Sequence, residues 1–137
     1  MIPDNFLQLA IETAKSSPSR RKVGAVLLKK SKVVATAVNL EQKSHPLQAR
    51  LAKKVGLCEK IYLHAEIAAL IKAKEDADTI VVARVNTRNK LRMAKPCPIC
   101  TLALEQEGIK NVYYTTNEGF MYKYNLEEDS LEIHETT

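Results

Sequence analysis

Two apolar hexads, Val23–Leu28 and Val33–Val38, flank a four-residue polar break, Lys29-Lys30-Ser31-Lys32. Runs this short, joined by so tight a break, predict an antiparallel β-hairpin. Thr79–Val85 and Asn111–Thr116 read as further strands, and Phe120–Tyr124 as a short fifth. Helical patterns separate them. Residues 4–15 place Leu7, Ala10, Ile11 and Ala14 on one face, with Asp4 or Asn5 as the cap. Leu63–Lys74 and Cys97 or Pro98 to Glu107 are the next two, the latter stopped by Gly108. Residues 39–62 are irregular, except that Pro46 and Gly56 bracket a possible short helix carrying Leu47, Leu51 and Val55. Asn86–Arg92 is a polar loop or hairpin. A hairpin followed by βαβ crossovers predicts an α/β fold, a three-layer α/β/α arrangement around a mixed sheet of about five strands.

The chain has 137 residues, which argues for one domain. Its 45% hydrophobic and 27% charged residues exclude a disordered chain. No apolar run approaches the roughly 20 residues of a membrane span. Met1-Ile2-Pro3-Asp4 shows neither a basic nor an apolar leader region, so the expected location is cytoplasmic, without a membrane partner. The +5 net charge is unevenly placed. Residues 127–137 form an acidic tail with five acids and no Lys or Arg. Residues 1–126, the expected domain, hold 21 basic against 11 acidic side chains, a net +10. Solvated Lys accounts for most of that excess, but such a body also favours phosphate-bearing partners.

Two segments carry chemistry: Leu63-His64-Ala65-Glu66 and Pro96-Cys97-Pro98-Ile99-Cys100. Each opens a predicted helix. Two thiolates and one imidazole suit zinc, and three protein ligands leave a fourth position for water. A helix start also favours the thiolate form. Glu66, two residues past His64, is placed to move protons beside such a metal without binding it. The spacing differs from zinc proteases, whose histidines lie four apart on one helix face. Three Cys are too few for a disulfide framework. A redox Cys-x-x-Cys pair leaves His-Ala-Glu unexplained. A closed structural zinc site built from Cys58, His64, Cys97 and Cys100 is the sharper alternative.

His-Ala-Glu with Pro-Cys-x-x-Cys resembles the signature of the cytidine and deoxycytidylate deaminase superfamily. The resemblance covers roughly residues 5–116. It implies that His64, Cys97 and Cys100 hold Zn²⁺ and that Glu66 shuttles protons. It implies hydrolytic deamination of a nucleobase with release of ammonia, and no organic cofactor. Val23-Gly24-Ala25-Val26 and the strand ending at Asn39 look like the family's first hairpin, whose Asn contacts the substrate's sugar. Ala65 is placed with Asn39 among the substrate contacts. A homo-oligomer is also implied, since this superfamily usually assembles.

The substrate is less constrained. Ser17-Pro18-Ser19-Arg20-Arg21-Lys22-Val23-Gly24-Ala25-Val26 looks most like deoxycytidylate deaminases, with Arg20 or Arg21 suited to a phosphate. The expected substrate is therefore cytosine on a small (deoxy)cytidine nucleotide or nucleoside. Ala68 stands where those enzymes usually carry Asn, and the Ile-x-Ala-Leu ending looks more like tRNA adenosine and guanine deaminases. A deaminase of RNA or single-stranded DNA is thus the second reading. Tyr113, Tyr114, Tyr122 and Tyr124 could stack bases for it, or be half-buried strand residues. A non-catalytic, zinc-stabilised binding module is the third.

Overall fold

The hairpin predicted from the two apolar hexads begins the sheet. Strand β1 (Lys22–Lys29) pairs antiparallel with β2 (Lys32–Val38), with Gly24 opposite Val38. Lys30 and Ser31 turn the chain with φ of 49° and 64°, the left-handed pair that a two-residue hairpin turn of matching twist requires. The computed structural model describes residues 3–56, 62–119 and 121–125. Cys58, Phe120 and the acidic tail from 127 onward lie outside them.

Helix α1 (Asp4–Lys15) precedes the hairpin. After it come β3 (Leu40–Ser44), α2 (Pro46–Lys54), β4 (Tyr62–Leu63), α3 (Ala65–Lys72), β5 (Thr79–Val85), β6 (Leu91–Arg92), α4 (Pro98–Gln106), β7 (Asn111–Thr115) and β8 (Met121–Asn125). The main sheet runs β2-β1-β5-β7-β8, with β6 attached to β5, giving six strands. β1 and β5 are antiparallel, while β5 and β7 are parallel and joined through α4. The sheet is therefore mixed, as the element order predicts.

Alternation along the strands divides the interior. Ala25, Leu27, Ile80 and Val82 face the side covered by α3 and α4. Val26, Leu28, Val81 and Ala83 face the opposite side, where Ala10 and Ala14 of α1 pack. This period-two pattern produces the three layers. Gly24 is the closest approach between layers: a Cβ there would collide with the Ala14 backbone nitrogen and lie 2.9 Å from the Ala10 carbonyl oxygen. A third cluster joins Leu51 and Ala52 of α2 to Ile67, Ile99, Cys100 and Ala103. Burying each Leu or Ile there stabilises the fold by about 1.5–3 kcal/mol. It also clamps the starts of α3 and α4 together.

Four details depart from the sequence reading. Pro3 rather than Asp4 or Asn5 is the N-cap of α1, and Asp4 sits in the first turn, where the helix dipole favours an acid. The irregular stretch contains a small two-stranded sheet, with Leu40 opposite Leu63. That pairing draws Leu63 out of α3, which starts at Ala65. The Asn86–Arg92 stretch is a hairpin whose return strand adds the sixth member of the main sheet.

Candidate active site

Both chemical motifs lie at helix starts, and the packing of α2, α3 and α4 brings the starts together. His64 is the N-cap of α3 and Cys97 the N-cap of α4, both with extended backbone. Pro98 fixes the first position of α4, where its missing N–H has no helical role. Cys100 lies one turn in, fully buried, and Glu66 occupies the first turn of α3.

His64 Nδ1 lies 3.3 Å from Cys100 Sγ and 3.5 Å from Cys97 Sγ. All three donor atoms fall within 4.8 Å of one another. A tetrahedral zinc with ordinary bond lengths separates a nitrogen and a sulfur ligand by about 3.5 Å, so the donor set fits the ion in type and spacing. The thiols share one proton unevenly. The Cys97 thiol is held down to about 4, chiefly by its hydrogen bond with Cys100 and further by His64, while burial opposes this. Burial first, then the same hydrogen bond, pushes the Cys100 thiol up. The two helix N-termini add positive potential that favours thiolate.

Glu66 is 6% exposed. Burial lifts its carboxyl above the usual range, while His64 and a backbone N–H draw it partly back. A desolvated acid of this kind exchanges protons nearer neutral pH than an exposed one does.

Beside the cluster opens a cavity of about 190 Å³. Arg21, Asn39, Ala65 and Glu66 line it together with His64 and Cys97. The structure thus gathers most of the residues singled out in the sequence. Arg20 is exposed and is not part of the lining. Asn39 is more than a lining residue. Its Oδ1 accepts from Ser17 Oγ at 2.8 Å and from the Val23 N–H at 3.0 Å, and its Nδ2 donates to the Arg21 carbonyl at 2.6 Å. It ties the 17–23 segment to the end of β2.

Sequence reasoning missed two residues. Arg84, on β5, lines the cavity. Gln48, on α2 and fully buried, accepts the His64 N–H. A polar residue at a core-facing position of an otherwise amphipathic helix was the available signal for Gln48. Nothing local marked Arg84. The tyrosines divide: Tyr113 and Tyr114 are half-buried, Tyr124 is buried, and Tyr122 is 51% exposed.

A two-thiol, one-imidazole metal cluster with a buried acid beside it, carried on a three-layer α/β/α scaffold, defines a zinc-dependent hydrolase. The comparisons narrow the class. The family model described as cytidine and deoxycytidylate deaminase zinc-binding region matches residues 2–116. A dCMP deaminase from the cyanophage S-TIM5 is similar at 25% identity, over 85% of this chain and 86% of that one, with a TM-score of 0.55. A cytidine deaminase from Burkholderia pseudomallei shares the fold at 22% identity, over 93% and 95%, with a TM-score of 0.65. One from Mycobacterium tuberculosis does so at 21%, over 93% and 92%, with a TM-score of 0.57. No curated protein sequence matches significantly. The chain belongs to the cytidine and deoxycytidylate deaminase family. It is a zinc-dependent hydrolytic deaminase of nucleobases. Among the described residues, no helix is long and apolar enough to cross a membrane.

Proposed function

We propose that the enzyme converts cytosine, carried on a small nucleoside or nucleotide, to uracil and ammonia. The observation that carries this reading is the placement of buried Glu66 and the His64, Cys97 and Cys100 donors in the wall of one small cavity. His64, Cys97 and Cys100 would hold the zinc. Zinc supplies Lewis acidity that makes a water molecule nucleophilic near neutral pH. Glu66 accepts the proton that this water loses and delivers it to the ring nitrogen N3. It then passes a proton to the departing amine at C4, so that water is consumed and ammonia released. The raised carboxyl suits both transfers, because it accepts and returns protons without a large energetic step. Ala65, between the metal ligand and the acid, presents backbone to the base, and Asn39 faces the sugar.

The test is ammonia release from cytidine, deoxycytidine, their monophosphates and a single-stranded oligonucleotide. Turnover on the monomers is expected. Turnover only on the oligonucleotide would favour the nucleic-acid reading, and none on any substrate a zinc-stabilised binding module. Glu66→Gln should retain about one zinc per chain while losing roughly 10²–10⁴-fold in turnover, the range for a lost general acid–base. Assembly as a homo-oligomer and a cytoplasmic location belong to the same proposal. Ile71 on α3 is 42% exposed, an apolar side chain suited to a subunit contact, and light scattering at micromolar concentration tests the assembly.

A further inference from the structure

The cavity wall opposite in character to the metal cluster is cationic. Arg84 and Arg92 are direct partners across the β5–β6 hairpin. Directly opposite residues share a face, and like charges so placed destabilise a sheet. The chain nevertheless fixes them there. The buried Thr115 hydroxyl accepts the Arg84 N–H at 3.1 Å and donates to the Arg92 carbonyl at 2.7 Å. Asn86 closes the connecting loop, its Oδ1 accepting the N–H groups of Arg88 and Lys90 at 2.9 and 3.0 Å. From the other side, the Asn39 amide holds the Arg21 carbonyl and so presents Arg21 to the same cavity.

Among the described residues, no acidic side chain pairs with Arg84 or Arg92, and the ion pair present, Lys15–Glu12, lies on α1. Glu66 is the one acid in the described lining of the cavity. Arg84 is half-buried on the α3 and α4 face of the sheet, continuing the Ile80, Val82 alternation towards the cavity. Burial lowers its guanidinium from the ordinary value, and Arg21 and then Arg92 lower it further. Solvated surface cations do not need such scaffolding. A rigid cluster of mutually repelling guanidinium groups at the rim of a reaction cavity is stabilised when an anion enters it.

We propose that Arg84, flanked by Arg21 and Arg92, forms a phosphate subsite that makes the enzyme prefer a nucleoside monophosphate to the free nucleoside. This rests on the cytosine reading above for the identity of the base, and on the cation geometry for the phosphate. Guanidinium groups bind phosphate through paired, charge-assisted hydrogen bonds. Their convergence on one small cavity favours a terminal phosphate over a polymer backbone, which would need cations strung along a groove.

The test compares zinc-loaded wild type, Arg84→Gln and Arg84→Lys. Two quantities are read: kcat/KM on deoxycytidine and deoxycytidylate, and the melting midpoint with inorganic phosphate against chloride at equal ionic strength. Wild type should favour deoxycytidylate by about tenfold or more. Arg84→Gln should lose about tenfold on deoxycytidylate and stay within about twofold on deoxycytidine, with Arg84→Lys between. Phosphate should raise the melting midpoint of wild type and not of Arg84→Gln. Without ligand, Arg84→Gln should melt no lower than wild type, because its removal relieves repulsion. Equal loss on both substrates, or an unchanged preference, would overturn the subsite. Turnover on neither substrate, with Arg84-dependent phosphate stabilisation retained, would support the subsite and overturn the cytosine reading. Arg84 dependence seen only with a single-stranded oligonucleotide would overturn the assignment in favour of a phosphodiester.

Discussion

The side-chain carbonyl of Gln48 accepts the backbone N–H of His64 at 3.3 Å. Gln48 is fully buried on α2, so a helix with no chemistry of its own fixes the backbone of a candidate metal ligand. The bond reaches His64 at the point where β4 ends and α3 begins. Gln48 therefore serves as a positioning residue.

Gln48→Leu keeps approximate volume and removes the acceptor. Partners that orient metal ligands typically change affinity by about 10–100-fold, and loss near the lower end is expected. Competition with a chelator of known zinc affinity measures it. The missing acceptor should also cost about 1–3 kcal/mol in urea unfolding. Unchanged zinc affinity with reduced stability would assign Gln48 to the core alone.

What the sequence made legible, and what it did not, follows from range. His64, Glu66, Cys97 and Cys100 lie within two short motifs, and helix starts are themselves local features, so the cluster was readable before the fold was known. The hairpin and β5 were legible because their apolar runs are long enough to show a period. β4 and β6 are two residues each and carry no period at all. Gln48 and Arg84 acquire their roles only when α2 meets α3 and when β6 returns beside β5. Arg21 reaches the cavity and Arg20 does not, a distinction set by the Asn39 amide 18 residues away in sequence.

The uneven sharing of a proton between Cys97 and Cys100 predicts a distinctive reactivity in metal-free enzyme. With its thiol held down to about 4, Cys97 is thiolate throughout the neutral range. Its alkylation by iodoacetamide should be nearly flat from about pH 6 to pH 8, where an ordinary thiol of pKa about 8.5 gains close to tenfold per pH unit. Cys100, pushed up and buried, should react far more slowly. Peptide-resolved mass spectrometry separates both from Cys58. Adding zinc should protect Cys97 and Cys100 together. A steep rise in Cys97 labelling between pH 6 and pH 8 would contradict the shared-proton arrangement.

Gly24 is required by contact between layers and not by backbone conformation. An added Cβ meets the Ala14 nitrogen and the Ala10 carbonyl oxygen, both main-chain atoms of α1 that cannot swing aside. Gly24→Ala should therefore cost about 1–3 kcal/mol, as overpacking does, and Gly24→Val more. Urea unfolding reads the loss. A neutral Gly24→Ala would show that α1 slides freely over β1.

Asn39 tests whether a cavity-lining residue acts through the substrate or through the segment it holds. Its Oδ1 serves Ser17 and Val23, its Nδ2 serves the Arg21 carbonyl, and its own carbonyl accepts from Ser19 Oγ at 3.1 Å. With the residue 4% exposed, Asn39→Ala strips partners from buried groups and should cost roughly 2–4 kcal/mol. Asn39→Asp keeps both acceptor contacts but sets a carboxylate against the Arg21 carbonyl. A protonated carboxyl restores the donor, so the proton is bound more tightly in the folded state than in the unfolded one. Stability of Asn39→Asp should consequently rise as pH falls from 7 towards about 4, relative to wild type over the same range. Both variants should retain about one zinc per chain, because the metal donors lie on other elements. Both should raise KM on deoxycytidylate as Arg21 loses its anchor. Zinc loss on Asn39→Ala, or an Asn39→Asp stability independent of pH, would show that Asn39 does not organise the segment in this way.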